Sequence, residues 1–156
     1  MLVCSALNTC YARIYRFTSI SGQDASKPIP YDPKAPVTDQ VFKSFETSLR
    51  NLRTTYLDSY VLHGPLETLA QTKEAWKAMG SLQDAGKVRL VGISNAYDVD
   101  ILKALAVDRP IQVVQNRWYE GNAWDREVVR YCKREGIMYQ CVIALHPFLL
   151  NRKNNK

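Results

Sequence analysis

Residues 87–95 read KVRLVGISN. Val88 to Ile93 is a short, largely apolar run of β-formers that stops abruptly at Ser94-Asn95, two hydrogen-bonding side chains. The same change occurs twice more. Leu57 to Leu62 (LDSYVL) runs into His63-Gly64-Pro65, and Ile111 to Val114 (IQVV) runs into Gln115-Asn116. Each run is followed by a loop and a helix-like segment. In a parallel βα barrel the active site is built from the C-terminal ends of the strands. Polar residues gathered at that end of successive strands therefore predict a shared site.

The rest of the chain alternates in the same way. Residues 13–18 (RIYRFT) read as a strand, and residues 19–36 (SISGQDASKPIPYDPKAP) as a long loop holding four of the seven prolines. A loop of that length in a compact domain is usually functional. Thr38-Asp39 opens a helix with Thr38 as N-cap, and Val41, Phe45, Leu49 and Leu52 follow at helical spacing. A second amphipathic helix spans Leu69 to Ala85, with Trp76, Met79 and Leu82 on one side and Gly86 as its stop. A third covers roughly Val99 to Ala106. A fourth runs from Asp125 to Arg134, stops at Gly136 and leads into a last strand, IMYQCVIAL (137–145). Strict β-α alternation with short loops means a parallel sheet with right-handed crossovers.

Two architectures suit five such strands. A doubly wound sheet would favour a glycine-rich phosphate loop after the first strand. The loop here has one glycine, Gly22, and no G-x-G-x-x-G. Polar residues at several strand ends favour the alternative, a partial (β/α)8 TIM barrel of about five βα units of eight. The domain organisation is an unmatched segment 1–12, an incomplete barrel domain 13–150 and a basic tail 151–156.

Composition narrows the partners. The chain has 156 residues and a net charge of +6, of which the tail NRKNNK supplies three, leaving +3 for residues 1–150. No basic element interleaved with aromatics points to nucleic acid. No apolar run approaches the ~18 residues that span a membrane. The start MLVCSALNTCYA lacks the basic n-region of a secretion signal. Cys4, Cys10, Cys132 and Cys141 form no close metal-type spacing, and His146 has no metal partner in sight. A cytoplasmic protein with free thiols and no metal is the expectation.

Taken in series, SLRNLRTTYLDSYVLHGP, WKAMGSLQDAGKVRLVGISN, VVQNRWY and YCKREGIMYQ resemble the aldo-keto reductase family. The proline loop SISGQDASKPIPYDP is similar to the extended loop of its fungal-type members. The resemblance covers about residues 14–150 and maps the chain from the third strand through the seventh. It implies a barrel that reduces an aldehyde or ketone with NADPH by hydride transfer. It also implies a truncated chain, because a complete barrel takes about 250 residues.

The implied chemistry needs a hydride donor and a proton donor. The family uses a tyrosine as acid, tuned by a lysine and an aspartate, and a histidine that polarises the substrate oxygen. Free tyrosine, with a pKa of about 10, needs such a neighbouring cation to serve as an acid–base group. The tyrosine and aspartate belong to the first two strands, which have no counterpart here. The lysine place is taken by Arg16, whose planar guanidinium stays protonated and cannot copy an ammonium. His63 matches the histidine. Ser94, Asn95 and Gln115 match the residues that hold the nicotinamide carboxamide of NADP, a task suited to fixed amide and hydroxyl groups. Taken alone, Ser94-Asn95 could equally cap the following helix. The aromatic ring that stacks on the nicotinamide is replaced at Val142 or Ile143, and the phosphate-gripping loop is absent. Cofactor binding is thus expected to be weakened.

Other residues read as structural. Asp58 is expected to be a buried, hydrogen-bonded acid, and Trp76, Trp118 and Trp124 to serve packing, although Trp118 and Tyr119 follow Gln115 on a loop that could touch a ligand. The leading expectation is an NADP-dependent reductase of a small carbonyl substrate, with a role in secondary metabolism suggested only by the fungal-type loop. The alternative is a non-catalytic remnant, an incomplete gene model, or an interaction module. Five strands of a barrel also leave open edges, so self-association through them is expected.

Overall fold

The structure is a computed structural model, described for residues 13–24 and 26–142. Five strands form one parallel sheet: β1 (Ile14–Phe17), β2 (Leu57–Leu62), β3 (Val88–Ser94), β4 (Val113–Arg117) and β5 (Met138–Val142). Their spatial order is β1-β2-β3-β4-β5, every pair parallel. A doubly wound sheet reverses its strand order at a switch point. No reversal occurs here, so the sheet is an arc of a barrel, as expected.

Four helices make the crossovers: α1 (Val37–Leu52), α2 (Leu69–Asp84), α3 (Val99–Ala106) and α4 (Arg126–Glu135). Alternation divides each strand between two faces. Phe17, Tyr60, Leu62, Val91, Ile93 and Val114 join the helices in one core cluster, with Trp76 and Met79 of α2 fully buried in it. Arg16, Val61, Gly92, Val113 and Met138 lie in one row across the other face. That face corresponds to the inside of the barrel. A Cβ on Gly92 would lie 2.6 Å from the Val113 carbonyl oxygen, so only glycine lets β3 and β4 approach there.

Local chemistry explains the boundaries. Thr68 and Gln71 form a capping box at the start of α2, and the Asp98 carboxylate accepts from the Asp100 N–H at the start of α3. Gly86 and Gly136 end α2 and α4 with φ of 69°. The expected Thr38 cap is not formed. The helix begins two residues earlier, after Pro36, so Thr38 falls inside the first turn. Its N–H and hydroxyl instead donate to Glu74 Oε1 of α2, at 3.0 and 3.1 Å. Tertiary contact here satisfies an N-terminal donor that a local cap usually takes.

Three further expectations change. The proline loop is not featureless. It holds a 3-10 turn at Ile20–Gly22, and Tyr31 Oη and Gln23 Nε2 both donate to the Thr18 carbonyl, at 2.6 and 2.7 Å. Asp58 is hydrogen-bonded but only partly buried: it accepts from the Arg13 N–H at 3.0 Å and pairs with Arg89 at 2.9 Å, at the end of the sheet away from the strand mouths. Helix α4 starts after Asp125, because a 3-10 turn at Glu120–Asp125 intervenes. Residues 1–12, the tail 151–156, Ile143, His146 and the end of the last predicted strand lie outside the described residues.

Candidate functional site at the strand mouths

The sheet brings Arg16, His63, Ser94, Asn95 and Gln115 to the C-terminal ends of four adjacent strands, and adds Gln140 from the fifth. Arg16 reaches across the arc. Its Nε and Nη2 donate to Gln115 Oε1 at 3.3 and 3.1 Å, and Gln115 Nε2 donates onward to Gln140 Oε1. Gln115 is buried, so its amide is held at both ends.

His63 extends the ladder beyond β2, its N–H donating to the Phe17 carbonyl at 2.8 Å. Its Nδ1 lies 3.1 Å from Thr18 Oγ1. The contact serves either tautomer: the hydroxyl donates to a bare Nδ1, leaving hydrogen on Nε2, or accepts from Nδ1–H. The ring's pKa falls below its ordinary value, first because burial disfavours the charged form, then because Arg16 and Arg117 repel a further proton. Both effects favour the neutral imidazole at the mouth.

Ser94 is buried, and its Oγ donates to the Gln115 carbonyl at 2.6 Å. Asn95 adopts φ of 48°, a conformation asparagine tolerates better than most residues, and its Nδ2 donates to the His63 carbonyl at 2.6 Å. Neither residue caps α3, a task Asp98 performs. The turn after β3 is thus tied to both neighbouring strand ends.

Asn116, in the sequence only one of the polar strand-end residues, anchors this turn from below. Fully buried, it accepts from the Ala96 N–H at 3.0 Å and donates to the Ala96 carbonyl at 2.8 Å and to Asp125 at 2.7 Å. Asp125 also accepts from Tyr139 Oη at 2.7 Å. Burial raises the Asp125 pKa, and these two donors oppose the rise. Thr18, Asn116 and Gln140 were missed. An asparagine directly after Gln115 was the available signal, because its side chain must face the helices if that of Gln115 faces the mouth.

The donor set suits a carboxamide. Ser94 Oγ retains acceptor lone pairs, Asn95 Oδ1 has only a long 3.5 Å contact with Tyr97 Oη, and Gln115 Nε2 has a second hydrogen. Such a mouth lies on a parallel βα arc with a histidine beside it, the arrangement of a βα-barrel site. The sequence profile described as "Aldo/keto reductase family" matches residues 31–156. The chain belongs to the aldo/keto reductase family. It is 34% identical over 98 residues to glyoxal reductase of Bacillus subtilis, covering 62% of this chain and 34% of that protein. It is 26% identical over 124 residues to an NADPH-dependent alpha-keto amide reductase of Saccharomyces cerevisiae, covering 75% and 39%. An aldo/keto reductase of Klebsiella pneumoniae, solved with NADP and acetate, superposes with a TM-score of 0.58 at 23% identity, over 82% of this chain and 41% of that one. The chain spans about a third of the length of the curated relatives it matches first.

Proposed function

We propose that this chain carries the nicotinamide-facing part of an NADP(H)-dependent carbonyl reductase, whose reaction is reduction of an aldehyde or ketone. The convergence of His63, Ser94, Asn95 and Gln115 on one mouth carries this reading. Ser94, Asn95 and Gln115 would hold the carboxamide of the nicotinamide, which supplies the hydride when bound. His63 orients the substrate, its Nε2–H donating to the carbonyl oxygen. Neutrality suits that task, because a neutral imidazole polarises without surrendering a full proton.

A second reading, a chain that reduces nothing by itself, is favoured by Arg16. By resemblance it stands where the family has a lysine, and its guanidinium is bonded to Gln115. The two readings differ in a thermal melt of the whole chain with excess NADPH. Binding to the folded state at a hundredfold excess over Kd adds about 2.7 kcal/mol, roughly 5–10 °C for a chain of this size. We expect a rise in wild type that is absent in Gln115→Ala. No rise in wild type overturns the cofactor reading. A rise without consumption of NADPH on simple aldehydes and ketones supports the second.

We also propose self-association. Among the described residues β1 and β5 are each paired on one side only. Ile14 and Met138 are 39% and 47% exposed on the inner face, where Ser59 Oγ is buried without a hydrogen-bond partner among the described residues. Sedimentation velocity is expected to show dimers or larger species that grow with concentration. A monomer throughout contradicts this. We place the protein in the cytoplasm, where the buried Cys132 thiol, pushed up to about 12 by burial, stays reduced and inert. Among the described residues no helix is long and apolar enough to cross a membrane.

A further inference from the structure

We propose that the cleft between the Glu120–Asp125 turn and α4 binds a small anionic aromatic molecule. This site is separate from the strand mouths. Its walls are Trp118, Trp124, Arg126, Val129, Arg130 and Lys133, around a space of about 490 Å3. That is within the range of small-ligand sites, roughly 300–1,000 Å3.

Two features give the ligand its chemistry. The first is aromatic. Trp118 and Trp124 lie 4.5 Å apart between ring centroids, tilted by 55°, and both are only half-buried. Side chains that served packing alone would be covered, as Trp76 is. A tilted indole pair with exposed rings offers a stacking surface to a planar guest. The second is charge. Arg126, Arg130 and Lys133 recur at i, i+4 and i+7, so they form one stripe along α4. The cleft walls contain no acid, and none of the three cations pairs with a carboxylate among the described residues. Single exposed cations without a carboxylate partner among the described residues occur elsewhere too, at Lys34, Arg53 and Lys87; here three of them share one helix face beside two indoles.

The backbone is held in an unfavourable form to make this cleft. Ala123, Trp124 and Asp125 have φ of 51°, 60° and 47° in succession. Three consecutive left-handed residues, none of them glycine, persist only where surrounding bonds over-determine them. Those bonds are present: Asp125 to Asn116 and Tyr139, the Trp124 N–H to the Tyr119 carbonyl at 3.0 Å, and Asn122 Nδ2 to the Arg117 carbonyl at 2.6 Å. Their joint effect is to turn Trp124 back onto Trp118. The chain's own residues 143–156 do not complement the cleft in charge, since they carry Arg152, Lys153 and Lys156 and no acid.

The test uses two fluorescent probes of similar shape, anilinonaphthalene sulfonate and the uncharged phenylnaphthylamine, titrated against the full chain. The sulfonate is expected to saturate one site and to bind at least tenfold more tightly than the neutral probe. In the double variant Arg126→Gln/Arg130→Gln its affinity drops roughly tenfold, the size of a lost charge-assisted hydrogen bond. Both arginines are exposed, so that variant keeps the fold. Trp118→Ala gives a similar loss. Equal binding of the two probes, or wild-type sulfonate affinity in the arginine variant, overturns the proposal and assigns the probe to the apolar inner face of the sheet. Absence of sulfonate binding overturns it too.

Discussion

Trp76→Ala is expected to bring the purified chain to the edge of unfolding. Trp76 is the largest fully buried side chain, with no exposed surface, and it belongs to the cluster that α2 builds against the sheet. Its indole N–H donates to the Arg109 carbonyl at 3.3 Å, pinning the loop before β4 to α2. Removing a buried aromatic side chain to the Cβ costs about 3–5 kcal/mol, from lost transfer energy and the cavity left behind. Domains of this kind have only about 5–15 kcal/mol in total. Urea unfolding followed by far-ultraviolet circular dichroism would show the midpoint collapse. Trp76→Phe should lose less, because it keeps most of the ring and forfeits the indole bond. A loss below about 1 kcal/mol for the alanine variant would mean that α2 is not part of the main core.

Asn116→Leu is the second large effect, and it reaches the strand mouths. Leucine keeps the branched outline of asparagine in a bulkier form but carries none of its hydrogen bonds. The substitution strands the Ala96 N–H and carbonyl in the interior and removes a donor from Asp125. Each buried group left unsatisfied costs about 1–3 kcal/mol, and a charged one more, so a loss of about 3–5 kcal/mol is expected. Ala96 follows Asn95 directly, so the turn carrying Ser94 and Asn95 loosens with it. The NADPH-dependent rise in melting temperature is expected to vanish along with the stability. Asn116 is a positioning residue, and pH separates its electrostatic part from simple loss of packing. The folded-state pKa of Asp125 is already raised, mainly by burial, and losing the Asn116 donor raises it further. A carboxyl with a raised folded pKa favours the folded state most when protonated, and that support is lost as pH rises through the raised value. The deficit of Asn116→Leu should therefore shrink as pH falls below neutrality toward that value. A deficit independent of pH would show that Asp125 is not under strain from the missing donor.

The chain declared its strands at their ends. His63, Ser94, Asn95 and Gln115 stand where apolar runs stop, a pattern one strand wide that needs no partner to be read. Gly86 and Gly136 marked helix ends for the same reason, since a left-handed stop is a local property. What failed was whatever needed a second element. Thr38 looks like a cap until Glu74 is brought beside it from α2. The tie between Arg16 and Gln115 spans β1 to β4 and exists only once β2 and β3 fix the arc. Ala123 and Trp124 carry no left-handed signature, because glycine, asparagine and aspartate are the residues that announce it, and Asp125 alone is a weak signal. Their conformation is imposed by Asn116 and Tyr139, which lie in two different strands.

The sequential strand order sets how the fold comes apart. Paired residues are 21 positions apart between β3 and β4, 25 between β4 and β5, and 31 between β2 and β3. Between β1 and β2 the separation is 45, because the proline loop lengthens that connection. Closing a loop twice as long costs only about 0.6 kcal/mol more, but among the described residues β1 is also an edge strand of four residues, with few bonds to offset that entropy. Amide exchange should run fastest there and slowest in β3, which is bordered on both sides. The strand that opens first carries Arg16, so each fraying event also releases the Gln115 amide. Access to the mouth is thereby coupled to the least durable pairing in the sheet.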